Sequence, residues 1–242
     1  MTKHLARIGV MLALAAVGCS ATAASTTFSD GVFSNADWSG SIASQSGPPV
    51  SFTAQQVAAG GNPGFFREVG HTFGGPGSII TSHLFTGGSY NPVTQGAIAD
   101  IDFSADLFLF NGGDSGAVGY GALLSQGGTV YIAGFGTTTT PFWIGFSLSD
   151  LTASNFSKLS GAGPVTPDFS ATGGVIQLGY FASNGTGIAR STSTLSGLDN
   201  WSVTVTTAVP EPGTYALLAT GLIGLLVRRR MIRTPAPLRS GN

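Results

Sequence analysis

Cysteine is almost absent from this chain of 242 residues, and the single one is Cys19. It lies in an N-terminal segment that we expect to be removed, so the mature protein would contain no thiol. Disulfide bonds, cysteine-ligated zinc and cysteine nucleophiles are then excluded.

Charged residues are also scarce, at 9% of the sequence, and they are unevenly placed. Between residues 25 and 208 there are ten acids, with Glu68 the sole glutamate, and three bases, Arg67, Lys158 and Arg190, which leaves a formal charge of −7. Such a negative surface repels phosphates, so we exclude nucleic acid as a partner.

The first 23 residues have the order of a secretory signal peptide. Lys3 and Arg7 precede the apolar residues 8–17, and small residues follow at Ala21 and Ala23. This order predicts export by the general secretory route, with cleavage after Ala23 or one residue later.

A rival interpretation of the same segment is lipidation. Val17-Gly18-Cys19 resembles a lipoprotein acylation box, although Ala16 stands where such boxes usually have leucine. Because a signal-peptidase site follows directly, we favour cleavage over lipidation.

Hydrophobic alternation indicates a series of short β-strands between residues 25 and 208. The clearest covers residues 200–206, where Trp201, Val203 and Val205 share one face and hydroxyl side chains the other. Similar patterns occur at residues 50–57, 67–73, 79–85, 97–103, 106–110, 118–124, 129–135, 142–148 and 175–182. With turn residues between them and no long helical period, they predict one all-β extracellular domain, a β-sandwich or jelly roll.

The aromatic residues divide by their position in these patterns. Trp201, Phe142 and Phe146 lie on apolar strand faces and are predicted to be in the core. Trp143 and Tyr180 fall on the opposite strand face from some of their apolar neighbours. Exposed rings at these two positions could stack on the faces of sugars.

The C-terminal region has three parts that are typical of a membrane-anchored tail. Pro210 and Pro212 interrupt the chain on either side of Glu211, residues 213–227 are apolar, and residues 228–230 are all arginine. Fifteen residues make a helix of about 22 Å against roughly 30 Å of hydrocarbon, so the predicted transmembrane helix spans only marginally. By the positive-inside rule the arginines and residues 231–242 face the cytoplasm.

Residues 209–230 closely resemble the PEP-CTERM sorting signal. The matching residues are Val209, Pro210, Glu211 and Pro212, followed by the apolar helix and by Arg228, Arg229 and Arg230. The resemblance implies exosortase as the partner, transient anchoring in the inner membrane of a Gram-negative bacterium, and release or attachment at the cell surface. Such signals often occur in bacteria that make extracellular polysaccharide. The residues after the arginines are a departure, since such tails usually end there.

The outer domain more weakly resembles galactose-binding-like jelly-roll modules. The resemblance depends on Asp30-Gly31-Val32-Phe33, on Trp38, and on Leu198-Asp199-Asn200-Trp201-Ser202-Val203 near the end of the domain. It implies that the first and last strands pair. It also implies that an acid of the last strand, here Asp199, contributes with Asp30 to a structural calcium site. No other cofactor is expected.

Other candidate sites lack the pattern that catalysis needs. His71 and Ser115 follow the order of a serine protease, but their separation is too short for catalytic groups on two barrels. His71 and His83 have no third ligand at metal spacing. Asp100 and Asp102 share a strand face, which favours a solvated surface over calcium binding or glycoside hydrolysis.

These patterns predict an exported protein with no catalytic residue. Our leading hypothesis is a non-enzymatic surface module that associates with extracellular polysaccharide or biofilm matrix. The alternatives are a carbohydrate-active hydrolase and a purely structural matrix protein.

Overall fold

The strands of the domain form two antiparallel sheets. The computed structural model describes residues 23–209 and the single residue Gly221. In chain order the elements are β1 (Ser25–Asp30), β2 (Trp38–Ser46), β3 (Val50–Gly61), β4 (Gly64–Phe73), β5 (Gly77–Phe85), α1 (Pro92–Gln95), β6 (Ile98–Asn111), β7 (Val118–Gln126), β8 (Thr129–Thr138), β9 (Ile144–Leu151), β10 (Ser157–Ser160), β11 (Ile176–Thr186) and β12 (Thr192–Thr207), with 3₁₀ turns at Asn35–Asp37 and Ala153–Asn155.

Each sheet has six strands, and the two sheets face each other across one core. Sheet A has the order β3-β4-β12-β6-β9, and β1 also pairs with β12. Sheet B has the order β10-β8-β7-β11-β5-β2. Neighbours in these orders are often far apart in sequence, as in a β-sandwich of the jelly-roll type. The predicted fold class is confirmed.

The core forms because alternate residues of each strand face the opposite sheet. On β12 the predicted face is buried, with Trp201, Val203 and Val205 at most 2% exposed. Trp38 of sheet B packs edge-on against Trp201, with ring centroids 5.0 Å apart. Full burial of each large side chain stabilises the fold by about 2–3 kcal/mol.

The two ends of the domain come together, as the resemblance to jelly-roll modules implied. β1 pairs with the second half of β12, from Ser25 opposite Thr206 to Asp30 opposite Trp201. Residues 23–208 form one compact unit that contains every strand of both sheets and the core between them. We therefore expect this segment to fold on its own.

Several predicted strand boundaries are corrected by the structure. The strands predicted at residues 97–103 and 106–110 form the single strand β6, which begins at Ile98 and also includes the two residues between them. β12 begins eight residues before the predicted strand, and β1, β2 and β10 were not delimited from the sequence. Phe142 is 58% exposed and precedes β9, so its predicted place in the core is wrong.

The predicted membrane segments fall where the structure is not described. Residues 1–22 and the predicted helix at 213–227 lie outside the described residues. Within residues 23–209, no helix is long and apolar enough to cross a membrane.

Candidate functional site

One row of side chains on β6 faces away from the core along the outer surface of sheet A. Every second residue of β6 points outward. These residues are Asp100, Asp102, Ser104, Asp106, Phe108 and Phe110. At about 3.3 Å per residue the row is roughly 33 Å long. It is acidic at one end and aromatic at the other.

The aromatic end of this row belongs to a cluster of four rings, which we call the aromatic platform: Phe66, Phe108, Phe110 and Trp143. The rings of Phe66 and Phe110 are stacked with centroids 5.2 Å apart, and those of Phe108 and Phe110 are 4.3 Å apart. Trp143 lies 5.2 Å from Phe108 and 5.5 Å from Phe66. Phe110 is 40% exposed, so the platform presents ring surface to solvent.

Two local features hold the platform in place. The indole N–H of Trp143 donates to the carbonyl oxygen of Gly60 at 3.0 Å, which anchors the ring to the β3–β4 hairpin. Beneath the rings lies Gly197 of β12. A Cβ atom there would come within 3.0 Å of Phe66, Phe110 and Trp143. The absence of a side chain at Gly197 therefore lets the rings lie close against the sheet.

A small polar cleft of about 260 Å³ lies beside the platform on the same face. It is lined by Ser104, Ala105, Asp106, Gly145, Phe146, Ser147 and Asn200. Asp106 Oδ2 accepts hydrogen bonds from the side-chain amides of Asn62 at 3.1 Å and Asn200 at 2.7 Å. Among the described residues, Asp106 Oδ1 has no donor, so it can accept from a ligand hydroxyl.

Asp199, which precedes the cleft residue Asn200, is fully buried at a bulge of β12. Its carboxylate accepts the backbone N–H groups of Asn62 and Asn200. Burial raises the pKa of Asp199, the two hydrogen bonds lower it, and the negative charges of Asp106 and Asp30 add to the increase. The carboxylates of Asp30 and Asp106, on the two strands that pair with this part of β12, are therefore near enough to act on Asp199 electrostatically.

Asp30 binds its own chain segment. Its Oδ1 accepts the backbone N–H groups of Val32 at 2.7 Å and Phe33 at 2.9 Å. Its Oδ2 accepts the indole N–H of Trp38 at 2.7 Å. Three donors occupy most of the roughly four lone-pair sites of a carboxylate. The calcium site predicted at Asp30 and Asp199 stays a prediction.

A second acidic cluster lies further along β6. One carboxylate oxygen from each of Asp100, Asp102 and Asp150 lies within 4.8 Å of the others. Asp102 also accepts the backbone N–H of Asp150 at 2.9 Å. All three belong to neighbouring strands of one open face, so they do not oppose each other across a cleft as the carboxyl pair of a glycosidase does.

The two histidines lie together inside the sandwich, whereas the hydroxyl of the candidate nucleophile Ser115 is bound within a turn. The hydroxyl of Ser115 donates to the carbonyl oxygens of Gly112 and Ala117 within its own turn. His71 is buried between the sheets, where its Nε2 bonds to Thr81 at 3.2 Å. The His83 Nε2 bonds to the same hydroxyl at 2.9 Å.

The sequence pattern predicted one of the exposed aromatic residues on the outer face of sheet A, and it missed two others. Trp143 is partly exposed, as its parity predicted. Tyr180 is fully buried and stacks on His83, so the prediction of an exposed ring there is wrong. The outward-facing Phe108 and Phe110 were missed, although the alternation of a continuous β6 could have revealed both.

The sorting and cleavage residues lie mostly outside the described part of the chain. Val209 is described, exposed, and separated by one residue from the end of β12. Ala23 is described and exposed, just before β1. Ala21, Pro210, Glu211, Pro212 and Arg228, Arg229 and Arg230 fall outside.

The C-terminal residues match a known family model. Residues 208–230 match the PEP-CTERM protein-sorting motif. The chain is thus an exported, membrane-anchored precursor that is sorted to the cell surface. The match begins directly after β12, so the sorting motif and the β-sandwich do not overlap. A comparison with curated protein sequences finds no match.

The described domain is similar in fold to several solved structures. A family 11 carbohydrate-binding module from Clostridium thermocellum, in complex with a β-1,3-1,4-mixed-linked tetrasaccharide, is 12% identical; the alignment covers 76% of this chain and 98% of the module, with a TM-score of 0.43. The family 11 module of a cellulosomal cellulase from the same organism is 15% identical. That alignment covers 77% of this chain and 97% of the module, with a TM-score of 0.44. A protein of unknown function from Shewanella oneidensis MR-1 is 10% identical. That alignment covers 87% of this chain and 99% of the other protein, with a TM-score of 0.37.

Proposed function

We propose that this protein is a non-catalytic surface module that binds extracellular polysaccharide through the outer face of sheet A. A Gram-negative bacterium exports it by the general secretory route. Exosortase then recognises residues 209–230 in the inner membrane, while residues 213–227 span it, and the β-sandwich is released or attached at the cell surface.

The observation that carries the binding proposal is the position of the platform directly beside the polar cleft. A sugar ring has C–H faces that pack on aromatic rings and hydroxyl groups that need hydrogen-bond partners. Phe110 and Trp143 supply the first kind of surface, and Asp106 and Asn200 supply the second. Both lie on a rigid sheet face, so little conformational entropy is lost on binding.

The arrangement of acids favours binding over hydrolysis. A glycosidase needs a protonated acid facing the substrate and a second carboxylate across the cleft. Asp199 has a raised pKa, but it is fully buried and its oxygens accept backbone N–H groups. Asp100, Asp102 and Asp150 crowd together on an open face. Neither set provides two walls of a cleft.

The test is affinity electrophoresis of purified residues 24–208 in gels that contain the producer's own extracellular polysaccharide. We expect wild-type protein to be retarded and Phe110→Ala to be retarded less, with about a tenfold weaker affinity from the lost ring surface. Phe135→Ala is the matched control, because Phe135 is 64% exposed on sheet B. It should migrate like wild type.

The alternatives predict different results in the same experiment. Release of reducing ends from the polysaccharide would identify a hydrolase and refute the non-catalytic proposal. Neither retardation nor release, with protein that circular dichroism shows to be folded, would indicate a purely structural matrix protein.

A further inference from the structure

Arg67 is a buried cation with no acid beside it. It is 3% exposed, on the core-facing side of β4. Among the described residues the one ion pair is Arg190 with Asp114, so no carboxylate lies within 4.0 Å of the Arg67 guanidinium. Buried charges in proteins are normally paired, because removing an ion from water costs several kcal/mol.

The existing contacts of Arg67 satisfy little of its hydrogen-bonding capacity. A guanidinium has five N–H donors. One nitrogen, Nη1, reaches Asn35 Oδ1 at 3.4 Å, but that oxygen already accepts the backbone N–H of Gln56 at 2.9 Å. The Nε of Arg67 has no acceptor within the described residues. The buried Tyr180 hydroxyl is a neutral neighbour of Arg67: burial raises the pKa of Tyr180, and the adjacent Arg67 partly offsets that increase. The cation also lies 5.6 Å from the centre of the Trp38 ring, which offsets part of the cost of burial.

This arginine lines a pocket of about 300 Å³ between β2, an edge strand of sheet B, and β3, an edge strand of sheet A. The pocket is lined by Asn35, Trp38, Gly40, Phe52, Ala54 and Arg67. Its volume is at the lower end for small-molecule sites, which suits a single sugar unit. Two aromatic rings and one cation therefore face the same space.

His83 is fully buried behind Gly40, beside the pocket but not part of its lining. The Thr81 hydroxyl contacts the carbonyl oxygen of Ala182 at 3.2 Å, and the assignment of ring protons that fits a donation to this carbonyl places one on each histidine Nε2. The fully buried His83 Nδ1 is then a lone-pair acceptor, without a donor among the described residues. It lies 3.4 Å from the position that a Cβ of Gly40 would occupy.

We propose that this pocket binds an acidic sugar, with its carboxylate on Arg67. A uronate offers the anion that Arg67 lacks and C–H faces for Trp38 and Phe52. That the ligand is a sugar rests on the proposed function, whereas the need for an anion follows from Arg67 itself. Because the domain has a formal charge of −7, it repels polyanions. We therefore assign the pocket to a single uronate at a chain end or branch of a largely neutral polysaccharide.

The three tryptophans provide a test that separates this pocket from the aromatic platform. Trp38, Trp143 and Trp201 give three indole N–H signals in a ¹H–¹⁵N spectrum of residues 24–208. Trp38 lines the pocket, Trp143 belongs to the platform, and Trp201 is buried in the core. On titration with D-galacturonate and D-glucuronate, we expect the Trp38 signal to shift saturably and the Trp201 signal to stay in place.

Variants of the pocket make the assignment specific. Arg67→Met keeps the apolar stem and removes the charge, so we expect uronate affinity to fall about 10- to 100-fold and the melting temperature to stay equal or rise. Arg190→Met, which removes an exposed arginine, should bind like wild type. Gly40→Val fills the pocket while Arg67 is retained, and it should also abolish the shift.

Three results would overturn the proposal. The first is a Trp38 shift with neutral D-galactose as large as the shift with the uronates. The second is an equally large shift with acetate, chloride or phosphate. The third is a folded Arg67→Met variant that binds the uronates as wild type does. A polysaccharide that shifts Trp143 but leaves Trp38 in place would support the proposed function and refute this inference. If a uronate shifts Trp38 and no polysaccharide shifts Trp143, the result would support this inference and refute the proposed function.

Discussion

Replacing Asp30 with alanine should destabilise the domain whether or not calcium is present. The substitution leaves the backbone N–H of Phe33 and the indole N–H of Trp38 without their acceptor, and Trp38 is 5% exposed. It also frees a turn in which Phe33 is held at a φ of 57°. A hydrogen bond to a charged acceptor contributes about 1.5–3 kcal/mol, and solvent can replace the acceptor of the exposed Val32 N–H.

The expected loss from Asp30→Ala is therefore about 3 kcal/mol. For a domain of this size that corresponds to a fall in melting temperature of roughly 6–12 °C. Thermal and urea unfolding followed by circular dichroism, in calcium and in chelator, measure it. Asp37→Ala is the matched control, because Asp37 is an exposed acid of the same segment, and it should change stability by less than about 0.5 kcal/mol.

Two outcomes would refute this reasoning. A loss below about 1 kcal/mol in chelator would mean that the three hydrogen bonds are not what holds the turn. A loss that appears only in calcium would make Asp30 a metal ligand, as the resemblance to jelly-roll modules implied, and would assign the stability to the ion.

Three further predictions concern pH, packing and sorting. Burial lowers the pKa of His71 to about 4, so protonation favours unfolding, and His71 should contribute roughly 3 kcal/mol to a loss of stability as the pH falls from about 6.5 toward 4. Burial also lowers the pKa of His83, so urea unfolding of His71→Gln across this range should show a smaller loss than wild type, and an equal loss in the two proteins would contradict the prediction. Gly197→Val should displace the platform rings and destabilise the domain by about 1–3 kcal/mol in thermal unfolding. The control Gly187→Val should leave stability unchanged, because no atom lies within 4 Å of the added Cβ. Deleting residues 210–230 should leave the circular dichroism spectrum of the sandwich unchanged but abolish its display on intact cells, as measured by antibody labelling. Normal display of the shortened protein would refute the sorting role of the motif.

The alternation of β6 and β12 shows how far the sequence alone could predict the strands. The pattern at residues 200–206 is strict, and β12 buries the predicted face. The first half of β12 buries Thr194 and Ser196 instead of apolar residues. The Ser196 hydroxyl is satisfied by Tyr120 and by the carbonyl oxygen of Val69, which are distant in sequence. Periodicity of apolar residues cannot reveal such a strand.

The candidate sites depend on contacts that local patterns do not contain. Phe66 and Phe110 stack across β12, which lies between their strands in sheet A, an order that no spacing in the sequence indicates. Arg67 resembles a solvated cation in sequence, since buried arginines are rare. The outer face and the pocket could therefore be recognised only after the two sheets were placed. The sorting motif depends on a contiguous segment, so the sequence sufficed there.

The most direct test of the proposed function is the Trp143 indole signal during titration of ¹⁵N-labelled residues 24–208 with fragments of the producer's extracellular polysaccharide. We predict a saturable shift of Trp143, little change at the buried Trp201, and a weaker response in Phe110→Ala than in Phe135→Ala. If Trp143 does not move, or moves equally in both variants, the outer face of sheet A is not the polysaccharide-binding site.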